Sequence, residues 1–293
     1  MKNKKLIITG TSGFIGYFFL ERALKKNYQI VDILRDKNKN NKKLNHLRKE
    51  YNGLYQTIFY KNLSSLEKKL KGKSFDCFIN FATLYKNNHN HSEVPKFIES
   101  NLVFPTIILD IISKKINKII NIGTMMQHVD GKTHSPKNFY ASTKSALEMI
   151  LNFYTLNNKN LKYFNLKFYE SFSEADRRKK LIPTMIKNYK KKLTTKIIAK
   201  NLELNIIHVK DILKAIFLLI KTNVSSGTYC LMHKRNIKIN NIIKKIKKKG
   251  GRTFKIKYIN HKFQVPKKTY IKLLPKWKPD NEIENKIISE ILK

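Results

Sequence analysis

The sequence predicts an α/β protein built on a doubly wound parallel sheet, with a smaller C-terminal α/β domain. Three observations point there. A strand, a glycine-rich turn, a helix and a second strand fit within the first 34 residues, the order of a βαβ unit. Apolar strand-like runs then alternate with helical patterns up to residue 169, as in sheets covered on both faces. Beyond residue 170 the texture shifts to a basic loop, short strands and lysine-rich helices.

Taken in order, residues 6–9 form a short buried strand, and Gly10, Gly13 and Gly16 punctuate the turn that follows. Glycines there let the backbone turn tightly and approach a pyrophosphate at a helix N-terminus. A helix over 17–26 ends at Asn27, and a second strand covers 29–34. Further strands are predicted at 55–60, 77–81, 118–122 and 162–168, with helices at 64–71, 94–112 and 140–156. Pro105 is expected to break or kink the second of these helices. In such a sheet ligands bind outside the strand C-termini, so Gly10–Gly16, Ala82, Thr124 and the 168–170 segment should converge. Residues 171–192 read as a basic loop with a helix starting near Ile182, and 208–220 as a helix with an apolar face. Residues 1–169 are thus the expected dinucleotide-binding domain, joined by a returning segment near 203–232, and 170–293 mainly the substrate-binding domain.

The net charge of +41 rests on 61 basic residues, of which only seven are arginine. Specific reading of phosphate or guanine favours arginine, so the evenly spread lysine excess is read as compositional bias and no specific nucleic-acid partner is expected. The lysine run at 244–249 reads as the solvated face of an amphipathic helix. Cys77 and Cys230 stand among apolar residues without metal or redox spacing, and read as buried thiols in a reducing compartment. The N-terminal apolar run is too short for a signal peptide, and 212–220, interrupted by Lys214, is too short to span a membrane. A cytoplasmic protein without membrane insertion is expected.

Three Tyr-x-x-x-Lys spacings occur. Tyr163/Lys167 lies in a predicted strand, which separates the groups by roughly 13 Å, and Tyr258/Lys262 lies in a strand- and loop-like stretch. Tyr140/Lys144 opens a good helix former, where positions i and i+4 are neighbours about 6 Å apart. A cation there should draw the phenol down from about 10 toward working pH, making Tyr140 a candidate general acid/base. Thr124 follows the 118–122 strand, and its hydroxyl would stand beside the tyrosine to hydrogen-bond a substrate oxygen.

With these pieces the chain resembles the extended short-chain dehydrogenase/reductases that act on nucleotide-sugars. The resemblance rests on Thr9-Gly10-Thr11-Ser12-Gly13-Phe14-Ile15-Gly16, Asn80-Phe81-Ala82, Asn101, Gly123-Thr124, Tyr140 through Lys144, His208 through Asp211 and Trp277-Lys278-Pro279. It implies a Rossmann domain carrying NAD(P), a C-terminal domain closing over a nucleoside-diphosphate sugar, and a homodimer. Tyr140 would be the proton donor or acceptor, Lys144 would hold the nicotinamide ribose and tune Tyr140, and Thr124 would orient the sugar carbonyl. Implied cofactor contacts are Gly10, Ser12, Gly13, Phe14, Ile15, Gly16, Arg35, Asn62, Leu63, Phe81, Ala82, Asn101, Tyr140, Lys144 and Phe168; implied substrate contacts are Thr83, Thr124, Glu170, Lys180 and Leu181. No metal is expected.

The segments 123–128 and 166–182 are similar to the branch of 4-ketosugar reductases that includes CDP-abequose synthase. That branch makes a deoxyhexose for surface polysaccharide, such as lipopolysaccharide O-antigen. Met125-Met126 stand where 4,6-dehydratases carry an Asp-Glu pair, so elimination lacks its acid and base. Glu170, Ser173 and Asn62 depart from the usual residues of relatives. A 4-epimerase and a noncatalytic nucleotide- or RNA-binding protein are the alternatives.

An NAD enzyme places Asp or Glu at the end of the second strand. Asp32 is near the right distance, but the strand runs on through Ile33 and Leu34 and is followed by Arg35, Lys37 and Lys39. Arginine at that point can stack on adenine and pair with a 2′-phosphate, so NADP(H) is favoured over NAD(H).

Overall fold

In the computed structural model, residues 4–249, 254–259 and 269–293 are described; Lys262, of the third Tyr/Lys spacing, lies outside the described residues. Six strands arise in the first 167 residues: β1 (Lys5–Thr9), β2 (Gln29–Arg35), β3 (Tyr55–Tyr60), β4 (Cys77–Asn80), β5 (Lys118–Ile122) and β6 (Lys162–Lys167). Short strands follow as β7 (Glu170–Phe172), β8 (Thr195–Ile197), β9 (Glu203–Leu204) and β10 (Ile206–His208), then β11 (Gly227–Cys230). The main sheet has the order β11-β6-β5-β4-β1-β2-β3, and every pairing in it is parallel. Its centre is apolar on both faces because helices cover both: all four residues of β4 and the last four of β1 are buried. Strand order reverses between β1 and β4, which opens a crevice at their C-terminal ends.

The helices are α1 (Phe14–Leu24), α2 (Lys42–Glu50), α3 (Ser65–Leu70), α4 (Val94–Ile98), α5 (Phe104–Ile112), α6 (Phe139–Leu156), α7 (Leu181–Lys190), α8 (Val209–Lys221), α9 (Ile239–Lys249) and α10 (Ile283–Leu292). On one side of the sheet Phe19, Leu20 and Ala23 of α1 pack with Ile216 and Leu219 of α8. On the other, Ile108, Leu109 and Ile112 of α5 pack with Leu147 and Leu151 of α6. A separate cluster joins Phe172, Met185, Ile242, Ile246, Ile287 and Ile291. The segment holding α8 and β11 therefore returns to the main sheet, while α7, α9 and α10 build the second cluster. In α9 the isoleucines at 239, 242, 243 and 246 are buried, leaving its lysines to solvent.

Several boundaries differ from the sequence reading. The first helix begins at Phe14 rather than Tyr17, because Gly13 is its N-cap and the end of the glycine turn is already helical. The helix α2 was not anticipated: its lysine-rich sequence offers only Leu44 and Leu47 to the core, and Asn41 caps it by accepting from the Leu44 N–H. Pro105 does not end its helix. A π-helical turn at Glu99–Val103 links α4 to α5, and the wider turn spares the Asn101 carbonyl the clash that a proline four residues on would impose.

The motif segments His208–Asp211 and Trp277–Pro279 meet away from the sheet crevice. Trp277 Nε1 donates to the Asp211 carbonyl at 2.9 Å, and Asp211 Oδ2 accepts from the Asp280 N–H at 3.0 Å. Both cysteines are free and buried, and burial pushes their thiols up to about 12. Among the described residues no helix is long and apolar enough to cross a membrane, and no group of three or more His, Cys, Asp or Glu side chains is placed to hold a metal ion.

Candidate active site

A cleft of about 710 Å³ opens at the C-terminal ends of β1, β2, β4 and β5. Its floor is the glycine turn, where two positions exclude any side chain. Gly10 has φ +76°, and a Cβ there would lie 2.4 Å from the Ala82 nitrogen; a Cβ on Gly16 would lie 2.3 Å from the Gly10 carbonyl oxygen. The first turn of α1 carries no acidic side chain, so the helix N-terminus stays favourable to an anion. This cradle fits the pyrophosphate of a dinucleotide. Ser12, Gly13, Phe14 and Ile15 also line the cleft, as do Phe81, Ala82 and Phe168 from neighbouring strand ends.

At the end of β2 the wall is Leu34 and Arg35, backed by Tyr60. Arg35 Nε donates to the Tyr60 hydroxyl at 3.3 Å, and its guanidinium is 3.8 Å from Glu99. Asp32 faces elsewhere. It is fully buried beneath the turn, and its Oδ2 accepts from the Thr11 hydroxyl at 2.5 Å and the Tyr55 hydroxyl at 2.8 Å. Burial pushes Asp32 up to about 7, against those two hydrogen bonds and the charge of Arg48. No carboxylate therefore stands on the cleft wall at the end of β2.

Thr124 and Tyr140 both line the cleft. Thr124 caps the short turn after β5: its Oγ1 accepts from the Met126 N–H at 3.2 Å, which leaves the hydroxyl proton for a substrate oxygen. Tyr140 sits in the first turn of α6, whose Asn138 cap accepts from the Ala141 N–H. Lys144 lies one turn on, 1% exposed, beneath the wall. The expected depression of the phenol does not appear: burial pushes Tyr140 above its ordinary range, with the Thr83 hydroxyl pulling the other way. Burial also lowers Lys144 to about 8, opposed by Glu148. The pair thus presents a protonated phenol above an ammonium that is easily discharged.

Other residues of the sequence reading have different settings. Asn101 is fully buried in the π-helical turn. Its Oδ1 accepts from the Thr83 hydroxyl and the Leu84 N–H, and its Nδ2 donates to the Leu84 carbonyl and the Thr143 hydroxyl. It therefore shapes the loop after β4 from behind. Asn62 is exposed and Leu63 half-buried; neither lies on the cleft wall, which Tyr60 forms at that point. Thr83 and Lys180 line the cleft. Glu170 pairs with Lys180 at 3.1 Å, so the lysine offsets a carboxylate beside the cleft, and Leu181 begins α7 next to it.

Among the wall residues absent from the sequence reading are Tyr85 and Arg178. The Tyr85 ring meets Tyr140 edge-to-face at 5.0 Å between centroids, and the Lys180 ammonium lies 4.8 Å from the Tyr85 centroid. Arg178 stacks 4.0 Å over Phe14 while Asp176 accepts from its Nε at 2.9 Å and from its Nη2 at 2.7 Å. The basic run at 177–180 was the visible signal for Arg178; nothing local marked Tyr85, whose role depends on the fold.

Comparison with known proteins gives a matching family and similar folds. Residues 6–231 match the NAD dependent epimerase/dehydratase family. A CDP-abequose synthase from Yersinia pseudotuberculosis is 26% identical over 227 residues, covering 77% of this chain and 75% of the relative. A second CDP-abequose synthase, from Salmonella muenchen, is 21% identical over 87% of this chain and 84% of the relative. Among solved structures, a UDP-N-acetylglucosamine 4-epimerase from Methanobrevibacter ruminantium superposes with a TM-score of 0.79 at 20% identity, over 99% of this chain and 98% of that one.

Proposed function

The chain belongs to the NAD dependent epimerase/dehydratase family, enzymes of the extended short-chain dehydrogenase/reductase type, and from that premise we propose that it reduces the 4-keto group of a nucleoside-diphosphate deoxyhexose, with NADPH as the preferred cofactor. The observation that carries this reading is that Thr124 and a Tyr140 held protonated by burial line one cleft with a glycine cradle that fits a dinucleotide. The Gly10–Gly16 turn would hold a nicotinamide dinucleotide, which would supply hydride for the ketone carbon. Thr124 donates its hydroxyl hydrogen bond to the ketone oxygen and fixes the carbonyl. Tyr140 gives its phenolic proton to that oxygen as negative charge develops on it. Lys144 is the buried cation one helical turn away that stabilises the resulting phenolate.

Arg35 supports the 2′-phosphate preference, since Asp32 is committed to Thr11 and Tyr55. Lys179, Lys180 and Arg178 bring positive charge to the cleft wall facing the glycine turn, suited to a sugar diphosphate. Residues 170–293 would then be mainly the substrate-binding part and 1–169, with the returning 203–232 segment, the cofactor-binding part, in a homodimer working in the cytoplasm. The two relatives named as CDP-abequose synthases favour reduction over epimerisation, and Met125-Met126 offer no acid and base for dehydration. The test is a screen of CDP-, dTDP-, GDP- and UDP-activated 4-keto sugars for consumption of added NADPH or NADH. Oxidation of cofactor with one of them supports the reading, and interconversion of 4-hydroxy sugars without net oxidation would replace it with a 4-epimerase.

A further inference from the structure

We propose that Gln127 and Glu148 are positioning residues, which lock the strand end carrying Thr124 to the helix carrying Tyr140 and Lys144; the inference rests on the catalytic reading above. Gln127 is fully buried. Its Oε1 accepts from the Thr124 N–H at 3.1 Å, while its Nε2 donates to Glu148 Oε2 at 2.9 Å and to Ser145 Oγ at 3.3 Å. Ser145 and Glu148 belong to α6, one beside Lys144 and the other a turn beyond it. A single amide thus ties the backbone of one catalytic residue to the helix of the other two.

Glu148 extends the connection to two further strands. Its Oε2 is 2.7 Å from the Lys167 ammonium at the end of β6, and its Oε1 accepts from the Thr228 hydroxyl of β11. Lys167 in turn donates to His128 Nε2 at 2.6 Å, and His128 Nδ1 donates to the Thr133 carbonyl at 2.7 Å. Lys167 precedes Phe168 on the cleft wall, so the network joins the ends of β5 and β6 to Thr228 near the start of β11. Thr124 and Tyr140 must reach one ketone oxygen together, and small misplacements of such groups are costly to rate. Glu148 is also the carboxylate that favours the Lys144 ammonium against its burial. The other titratable groups that face it are Lys167 and Tyr163 of β6 and His128 after β5.

The primary variant is Gln127→Met, which keeps the side-chain length and the Glu148–Lys167 pair. Three measurements are made on the full chain: Thr124 amide exchange, the Kd for NADPH from nicotinamide fluorescence, and kcat and KM with the 4-keto sugar that the parent consumes. The expected result is faster Thr124 exchange, an unchanged Kd, and a kcat lowered on the order of 10- to 100-fold with little change in KM. In a Glu148→Gln, Lys167→Met double variant, which removes Lys167 together with its partner, the alkaline limb of kcat should move to lower pH because Lys144 loses its neighbouring carboxylate. Parental Thr124 exchange or kcat in Gln127→Met, or an unshifted alkaline limb in the double variant, would overturn the inference. A parent that reduces no 4-keto sugar, while Gln127→Met still speeds Thr124 exchange, would overturn the reductase reading and, with it, the positioning role.

Discussion

The Asp32 carboxylate is bonded to the Thr11 hydroxyl at 2.5 Å, behind the glycine turn and not toward the cleft. A residue that a motif count would give to the cofactor's ribose is therefore part of the turn's foundation. Among the described residues its Oδ1 has no hydrogen-bond partner, and burial raises the group to about 7. Between pH 4 and 7 the folded state then keeps a proton that the unfolded chain has released, so stability falls as pH rises through that window and levels off above it. Asp32→Asn removes this titration. Urea unfolding at pH 5 and pH 8 should show the parent losing more stability than the variant, by roughly 2–3 kcal/mol. Equal losses in both proteins would show that Asp32 titrates normally.

Cofactor choice follows from the same geometry. Arg35→Ala should raise KM for NADPH about 10- to 100-fold, in line with the loss of a charge-assisted phosphate contact, and leave NADH use nearly unchanged. A parental preference for NADH, or equal losses with both cofactors, would contradict the assignment of Arg35.

Lys144 gives a prediction in pH. Burial lowers it to about 8, so the ammonium proposed to stabilise the Tyr140 phenolate is lost as pH rises through that value. The kcat profile should fall on the alkaline side with an apparent pKa near 8, and Lys144→Met should abolish turnover across the range. A flat profile to pH 10 would place the titrating group elsewhere.

The charge of +41 predicts little for the reaction itself. The pyrophosphate cradle is made of backbone groups at the N-terminus of α1 as well as nearby lysines, so kcat/KM should decline only modestly between 50 and about 200 mM salt. A log–log slope as steep as that of a protein releasing 6–10 counterions from DNA would point to a polyanionic partner.

What was legible in the sequence was local. The glycine turn, the alternation of strands and helices, and the helical Tyr140/Lys144 pair each depend on residues close in the chain, and the strand ends fell where apolar runs stopped. The helix α2 was hidden because lysine and asparagine obscure its two core leucines. Asn101 was read as a cofactor contact, but its amide is saturated by the loop after β4 and by Thr143, a relation only the π-helical turn creates. Tyr85 and the Gln127–Glu148 connection join segments far apart in sequence, and no spacing reveals them. The Tyr140/Lys144 spacing predicts a lowered phenol, but burial, which spacing does not show, raises it.

Reduction at C4 is tested most directly with deuterium. With NADPH labelled at the transferred position and a 4-keto nucleotide-sugar that the enzyme consumes, deuterium should appear at C4 of the product, one cofactor should be oxidised for each sugar, and Tyr140→Phe should slow the transfer by about 1,000-fold while still binding both ligands. Sugar product without net cofactor oxidation, label absent from C4, or near-parental turnover by Tyr140→Phe would contradict it.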